Sequence, residues 1–368
     1  MKFYIIAGEA SGDLHGSYLV RQLIKQAPGA EIKAWGGDLI QKAGAQLVRH
    51  YRDLAFMGFI EVLQNLRTIF RNLKACKKDV EAFRPDALIL IDYPGFNLRI
   101  AEWAKGKGLR VFYYISPQLW AWKPGRVKII KSSVEQLFTI LPFENEFYKQ
   151  YQVYPEYVGH PLLENLKQFK ANPAVTASLA GKKVLALLPG SRKQEITRIL
   201  PILLQACVDF PEYTPVVAAA PSQPLSLYQE IIKLYGADLN IAIVENQTYS
   251  ILSIASLAWV SSGTATLETA LFKVPQVVCY TGNPISYWIA RRLIRVKYIS
   301  LVNLILDFPL IPELIQHGFT RESLIQTTRK LNMAEIQESY QKLHEILKPE
   351  DASVRVASSI LTKLKLSS

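Results

Sequence analysis

The sequence predicts an α/β protein made of two Rossmann-like parallel-sheet domains facing a cleft. Short, wholly apolar runs alternate with amphipathic stretches, as buried parallel strands alternate with covering helices. The pattern halts after residue 159 and restarts at 183. The chain has 368 residues, 49% of them hydrophobic, which is enough for two cores.

The first set opens with FYIIA (3–7), a short strand ending at the glycine-rich GEASGDLHG (8–16). SYLVRQLIKQ (17–26) follows with apolar residues at 19, 20, 23 and 24, the spacing of a helix. EIKAWGG (31–37), DALILID (86–92) and RVFYYIS (110–116) read as further strands. The second set is KVLALLPGSR (183–192), TPVVAAAP (214–221), NIAIVE (240–245), SLAWVSSGTAT (256–266) and QVVCYTG (276–282). Between them, residues 159–182 mix Pro, Gly and Lys in the manner of a domain connection. The expected divisions are 1–165, 166–345 and a helical tail 346–368, with one or two amphipathic helices over 334–366.

Net charge is +12, which implies an anionic partner: nucleic acid, a phosphorylated metabolite or an anionic membrane surface. No helix-turn-helix, RNP or zinc-finger pattern supports nucleic acid. The three cysteines, Cys76, Cys207 and Cys279, lie far apart, as expected in a reducing cytoplasm. No signal peptide is readable, and no run of about 18 apolar residues predicts a spanning helix. The five histidines are scattered without an HxH, HExxH or DxD pattern, so no metal site is expected.

Ligands of open α/β sheets bind beyond the carboxyl ends of the strands, which singles out a few loops. GEASGD is not GxGxxG, and Ser11, Asp13 and His15 are too close in sequence for a triad at such a turn. Gly8 and Gly12 shaping a turn, with Ser11 or Asp13 capping the helix, is the plainer reading; His15 is assigned to local packing. Asp92 ends an apolar strand, where partial burial raises a carboxyl toward neutrality and suits it to general-base work. In SPQLWAWKPGR (116–126), Trp120, Trp122, Lys123 and Arg126 read either as packing or as a wall for a sugar or phosphate.

Gly190, Ser191 and Arg192 stand between a strand and a helix, where free N–H groups and the helix dipole attract phosphate. SSGTATLETA (261–270) repeats this with Gly263, hydroxyls at Ser262, Thr264 and Thr266, and Glu268 placed for ribose hydroxyls. Two such loops favour a nucleotide diphosphate over ordinary capping. FMGFIEVLQNLRTIFRNLKACKK (56–78) and YWIARRLIRVKY (287–298) mix apolar and basic residues, as a core-packed helix or one lying on anionic lipid would.

GEASGD, IDYPGFN, SPQLWAWKPGR, GHPLLE, LLPGSRKQEI, SSGTATLE and ARRLIRVKYISLVNLI occur in the order seen in lipid-A-disaccharide synthases, and the chain resembles that family over about residues 3–345. The resemblance implies a GT-B fold and an inverting, metal-independent glycosyltransferase with no cofactor. It would join UDP-2,3-diacylglucosamine to 2,3-diacylglucosamine 1-phosphate (lipid X), giving the β-1,6 disaccharide 1-phosphate of lipid A and UDP. It also implies Asp92 as the base for the acceptor 6-hydroxyl, Arg192 at the UDP phosphates, and Glu268, Gly263 and Thr264 at ribose and phosphate. Asn303 would lie near the nucleotide, although Val302 replaces the proline usual in SLPNLL. Glu9, Ser11 and Asp13, in the GEASGD loop, would line the acceptor side; Trp122, Arg126, Gly190 and Ser191 complete the expected substrate-binding set. The 56–78 and 287–298 stretches would contact the cytoplasmic face of the inner membrane, and a homodimer is among the expectations. The rival readings are another GT-B enzyme on a UDP sugar, a 2-epimerase or lipid-linked GlcNAc transferase, and a non-catalytic nucleotide-sugar binding protein.

Overall fold

The structure is a computed structural model that describes residues 1–53, 66–237, 239–282 and 297–366. The chain divides into two compact units, Met1–Glu164 with Leu347–Ser368, and Asn165–Ile346.

In the first unit seven parallel strands are ordered β3-β2-β1-β4-β5-β6-β7. They are β1 Lys2–Ala7, β2 Glu31–Gly36, β3 Gln46–His50, β4 Ala87–Ile91, β5 Val111–Tyr114, β6 Gln136–Thr139 and β7 Glu156–Tyr157. The central strands β1, β4 and β5 are almost wholly buried, as their uninterrupted apolar runs require. One face of the sheet packs Phe3, Ile5, Ile89 and Phe112 against Leu19 and Leu23 of the helix Ala10–Gln26. The other packs Tyr4, Leu88, Leu90 and Tyr113 against the helices Leu66–Phe83 and Pro94–Gly106.

The tail region forms two helices, Met333–Ile346 and Ala352–Lys365. The last one belongs to the first unit. Its Val356, Ile360, Leu361 and Leu364 complete the core beside Leu19 and Leu23, and each such burial is worth about 1.5–3 kcal/mol. Glu164 accepts from the Ser353 N–H and hydroxyl and anchors that helix at its first turn.

The second unit has six parallel strands ordered β10-β9-β8-β11-β12-β13. They are β8 Val184–Leu188, β9 Thr214–Ala219, β10 Ala242–Glu245, β11 Ala255–Ser261, β12 Gln276–Tyr280 and β13 Glu313–Ile315. Helices cover both faces. Lys193–Cys207 buries Ile196, Ile199, Leu200 and Leu203 against Leu185, Leu187 and Trp259. Ile251 and Leu252 close the opposite face against Ala186 and Val216.

In each sheet the strand order reverses once, between β1 and β4 and between β8 and β11. At such switch points the outgoing loops part and leave a crevice for ligand. GEASGD and Asp92 follow β1 and β4, and PGSR and SSGT follow β8 and β11. Among the described residues no helix is long and apolar enough to cross a membrane. Residues 56–65 and 287–296 of the two basic-apolar stretches lie outside the described residues.

Candidate active site

Asp92 leaves β4 in a left-handed kink: Asp92 and Tyr93 have φ of 45° and 49°. Two successive non-glycine residues in this region cost about 1–3 kcal/mol each. The surrounding chain compensates. Asn97, fully buried in the helix Pro94–Gly106, donates Nδ2–H to the Asp92 carbonyl at 2.7 Å and to the Ile91 carbonyl at 3.2 Å. The Tyr113 hydroxyl donates to the same Asp92 carbonyl at 2.6 Å, and the Asp92 N–H donates to the Tyr114 carbonyl.

The kink keeps the carboxyl in a mostly apolar surrounding. Burial, then the nearby Glu9 carboxylate, push the Asp92 pKa up from 3.8 to about 6, against a stabilising hydrogen bond from the Tyr93 N–H. A group poised there is ionised at neutral pH and basic enough to take a hydroxyl proton.

Gly8 brings the first loop to this place. A Cβ at Gly8 would lie 2.3–2.6 Å from the Tyr93 ring, so only glycine lets the β1 exit close over that ring. Glu9 follows as the N-cap position of the helix, and Ser11 is exposed on its first turn. Asp13 does something else. It is 3% exposed and caps another helix: its carboxylate accepts from the N–H groups of Gly37 (2.8 Å), Leu39 (3.1 Å) and Ile40 (3.0 Å). The helix Ala10–Gln26 itself has no side-chain cap. His15 is buried, its pKa pushed down to about 4 by burial.

The tryptophans part ways. Trp120 packs edge-on against Phe143 at 4.9 Å, while Trp122 is 42% exposed. Trp122 lines a pocket of about 200 Å³ with Asp92, Ser116, Gln118 and Glu144. Glu144 shapes that pocket. It is 1% exposed and accepts from the N–H groups of Ile140 (3.1 Å) and Leu141 (2.9 Å). Burial pushes its pKa up to about 7, offset in part by those N–H bonds and by Ser116 and Trp120. Ser116 is in turn tied to the Tyr148 hydroxyl at 2.8 Å.

In the second unit, Gly190 has φ of 109°, and a Cβ there would meet Glu195 Oε2 at 2.5 Å. This glycine allows the Glu195 carboxylate to fold back onto the N–H groups of Ser191 (3.2 Å) and Arg192 (3.3 Å). Arg192 is exposed and reaches Glu195 at 3.5 Å. After β11, Gly263 opens the helix Thr264–Leu271, with Thr264 exposed at its first position. Glu268 lies one turn on. It accepts from the Tyr249 hydroxyl at 2.8 Å, and burial raises its pKa while that bond lowers it.

Asn303 is 1% exposed, and its amide folds its own loop. It donates to the Ile311 carbonyl (2.8 Å) and to Glu313 (3.0 Å) and accepts from the Ile311 N–H (3.0 Å). Val302 is fully buried, and the Ser300 hydroxyl caps that turn on the Asn303 N–H. Among the described residues no group of three or more His, Cys, Asp or Glu side chains gathers as a metal site.

Sequence reading singled out Asp92 and passed over Asn97, Tyr113, Glu144 and Tyr249. Asn97 sits five residues after Asp92 within IDYPGFN, and an asparagine wholly buried in a helix is the signal that finds it. Asn97→Ala is expected to release the kink and lower turnover at least about tenfold, since small misplacements of a reacting group are costly. Measured kcat on the folded variant checks this; an unchanged kcat would show the clamp to be dispensable.

Two Rossmann-like sheets, each with its outgoing loops parting at a switch point, make this a GT-B protein. The fold is shared with the kitacinnamycin glycotransferase, at a TM-score of 0.70 and 13% identity over 99% of each chain. It is shared too with the UDP-GlcNAc 2-epimerase of Neisseria meningitidis, whose structure holds UDP-GlcNAc, at 0.62 and 11% over 100% of each chain. The lipid-A-disaccharide synthetase family profile matches residues 3–361. The lipid-A-disaccharide synthase of Syntrophus aciditrophicus is 39% identical over 99% of this chain and 98% of its own length. That of Nitrosococcus oceani is 40% identical over 87% and 84%. The chain belongs to the lipid-A-disaccharide synthase family, glycosyltransferases that form the lipid A disaccharide from lipid-linked sugars.

Proposed function

We propose that this protein joins UDP-2,3-diacylglucosamine to lipid X with Asp92 as general base. The observation that carries this reading is the half-buried, kinked Asp92, raised to about 6, at the switch point of the first sheet. The acceptor 6-hydroxyl attacks the anomeric carbon of the donor, its proton passes to the Asp92 carboxylate, and the bond from that carbon to the UDP oxygen breaks. One displacement inverts the centre and releases UDP. The first unit supplies the base, and Glu9 and Ser11 face the acceptor. Asp13 holds the neighbouring helix in place. The second unit binds the nucleotide through Gly190, Ser191 and Arg192 at the phosphates and Gly263, Thr264 and Glu268 at phosphate and ribose. Asn303 shapes the adjoining loop. The Arg192 guanidinium and the N-terminal end of the helix Thr264–Leu271 stabilise the leaving diphosphate, because the Ser191 and Arg192 N–H groups are taken by Glu195.

The reaction takes place at the cytoplasmic face of the inner membrane, by the basic-apolar stretches. Support for the first stretch comes from its described part: Phe70 is 59% exposed, and an open groove of about 930 Å³ is lined by Phe70, Trp103 and the cations Lys74, Lys77, Lys78 and Arg99, which outnumber its carboxylates Glu81 and Glu102. Apolar and cationic groups on one face suit an anionic lipid surface.

The test is a radiolabelled transfer assay. UDP should be released only when donor and lipid X are both present, and activity should survive EDTA. Release from the donor alone would favour hydrolysis or epimerisation, and loss in EDTA would overturn the metal-free mechanism. Arg192→Ala is expected to raise the donor KM by about 10- to 100-fold, the worth of one charge-assisted phosphate contact. Initial rates across donor concentration check it.

A further inference from the structure

We propose that the pocket beside Asp92 seats the acceptor's sugar ring and that Lys123 and Arg126, on its Trp122 rim, hold a phosphate carried by that ring. This rests on the reading of Asp92 as the base and extends it to the recognition of the acceptor.

Size limits the occupant. About 200 Å³ falls below the roughly 300–1,000 Å³ of pockets for drug-sized ligands. A pocket of this size has room for one ring, and the proposal leaves the acyl chains outside it. Its polar lining, Ser116 and Gln118, suits hydroxyls, and Trp122 offers an aromatic face.

Charge sets the orientation. Asp92 and Glu144 line the pocket, so it repels a phosphate. The rim is the opposite. Lys123 Nζ lies 4.2 Å from the centre of the Trp122 ring, and the Arg126 guanidinium lies 6.0 Å from it. The Glu144 carboxylate, which lines the same pocket, is engaged with backbone N–H groups. Among the described residues neither cation has an ion-pair partner. Partial desolvation and the neighbouring Arg126 both lower the Lys123 pKa, as expected of two like charges held together without an anion. Lys123 also has φ of 57°, in the left-handed region, where it opens the short turn Pro124–Arg126. A doubly charged phosphate relieves that repulsion and meets both donors. With the phosphate on the rim, the ring turns a hydroxyl toward Asp92.

The test is steady-state transfer in detergent micelles by the Lys123→Ala/Arg126→Ala double variant. Two acceptors are compared, lipid X and the same diacylglucosamine without its phosphate. Loss of two charged contacts is expected to lower kcat/KM for lipid X by about 100-fold, mainly through KM. The loss on the phosphate-free acceptor should be no more than about twofold, and UDP affinity should stay unchanged. Equal losses on the two acceptors would overturn the proposal. If the alanine pair loses UDP affinity, Lys123→Gln/Arg126→Gln keeps the side-chain length and is read by the same criteria. A membrane headgroup is the other source of phosphate. If the double variant releases anionic phosphatidylglycerol vesicles yet keeps its micellar kcat/KM on lipid X, the cations serve the membrane and the proposal falls. A wild-type enzyme that transfers to neither acceptor would instead refute the parent reading of function.

Discussion

Asp92→Asn is expected to lower kcat by about 10³-fold, the middle of the range for a positioned general base. UDP affinity should not change, because the loops proposed to hold the nucleotide belong to the second unit. The same carboxyl predicts a pH dependence. A base works only when ionised, so turnover should fall as pH drops through about 6, the value to which burial and Glu9 raise Asp92. Stability runs the other way. In the unfolded chain the carboxyl loses its proton near 3.8, and in the fold near 6. Between these values the folded state binds more protons, so the cost of the buried charge grows as pH rises and is complete above about 6. The difference corresponds to about 3 kcal/mol. Asp92→Asn should therefore melt several degrees higher than wild type at pH 7.5, and the gain should shrink at pH 5. Turnover above a tenth of wild type would remove Asp92 from the base role; an equal melting point at both pH values would contradict its burial.

Asp92 was legible because a wholly apolar strand must stop at the sheet's carboxyl edge, and a carboxylate there has few structural duties. Its setting was not. The kink depends on Asn97 meeting the Ile91 and Asp92 carbonyls and on Tyr113 reaching across from β5. Such contacts join positions that no local pattern links. The same limit explains Asp13 and Asn303, which the family resemblance sets toward a ligand. Asp13 caps a helix that begins 25 residues further on, and Asn303 closes a loop onto Ile311. Strands β1, β4, β5, β8 and β11 could be read because both their faces are buried. Strand β7 has only two residues, and β13 is half-exposed with Glu313 inside it, so neither shows a pattern to read. The tail's helical pattern was legible, yet nothing local in it says that Val356 and Ile360 complete a core begun at Phe3.

Asp13→Ala is expected to destabilise the first unit by about 3–5 kcal/mol, a loss on the scale of a whole domain's stability. The carboxylate accepts three backbone N–H groups, from Gly37, Leu39 and Ile40, at the start of the helix Asp38–Lys42. Two of these bonds are fully buried, so water cannot replace the lost acceptor there. Five residues cannot hold a helix without help, and its Ile40 packs against the glycines of β1's neighbours, with a Cβ at Gly16 or Gly36 falling 2.6–2.7 Å from its Cδ1. Losing the cap therefore loosens the packing under the GEASGD turn as well as the helix itself. Asp13→Asn keeps one oxygen, which accepts from Gly37 and Ile40, but turns an N–H₂ toward the Leu39 N–H. It should fall between wild type and alanine. Urea unfolding of the three proteins checks the order. If Asp13→Ala unfolds like wild type but loses acceptor affinity, Asp13 faces the acceptor as the family resemblance implies. If both properties hold at wild-type values, neither role stands.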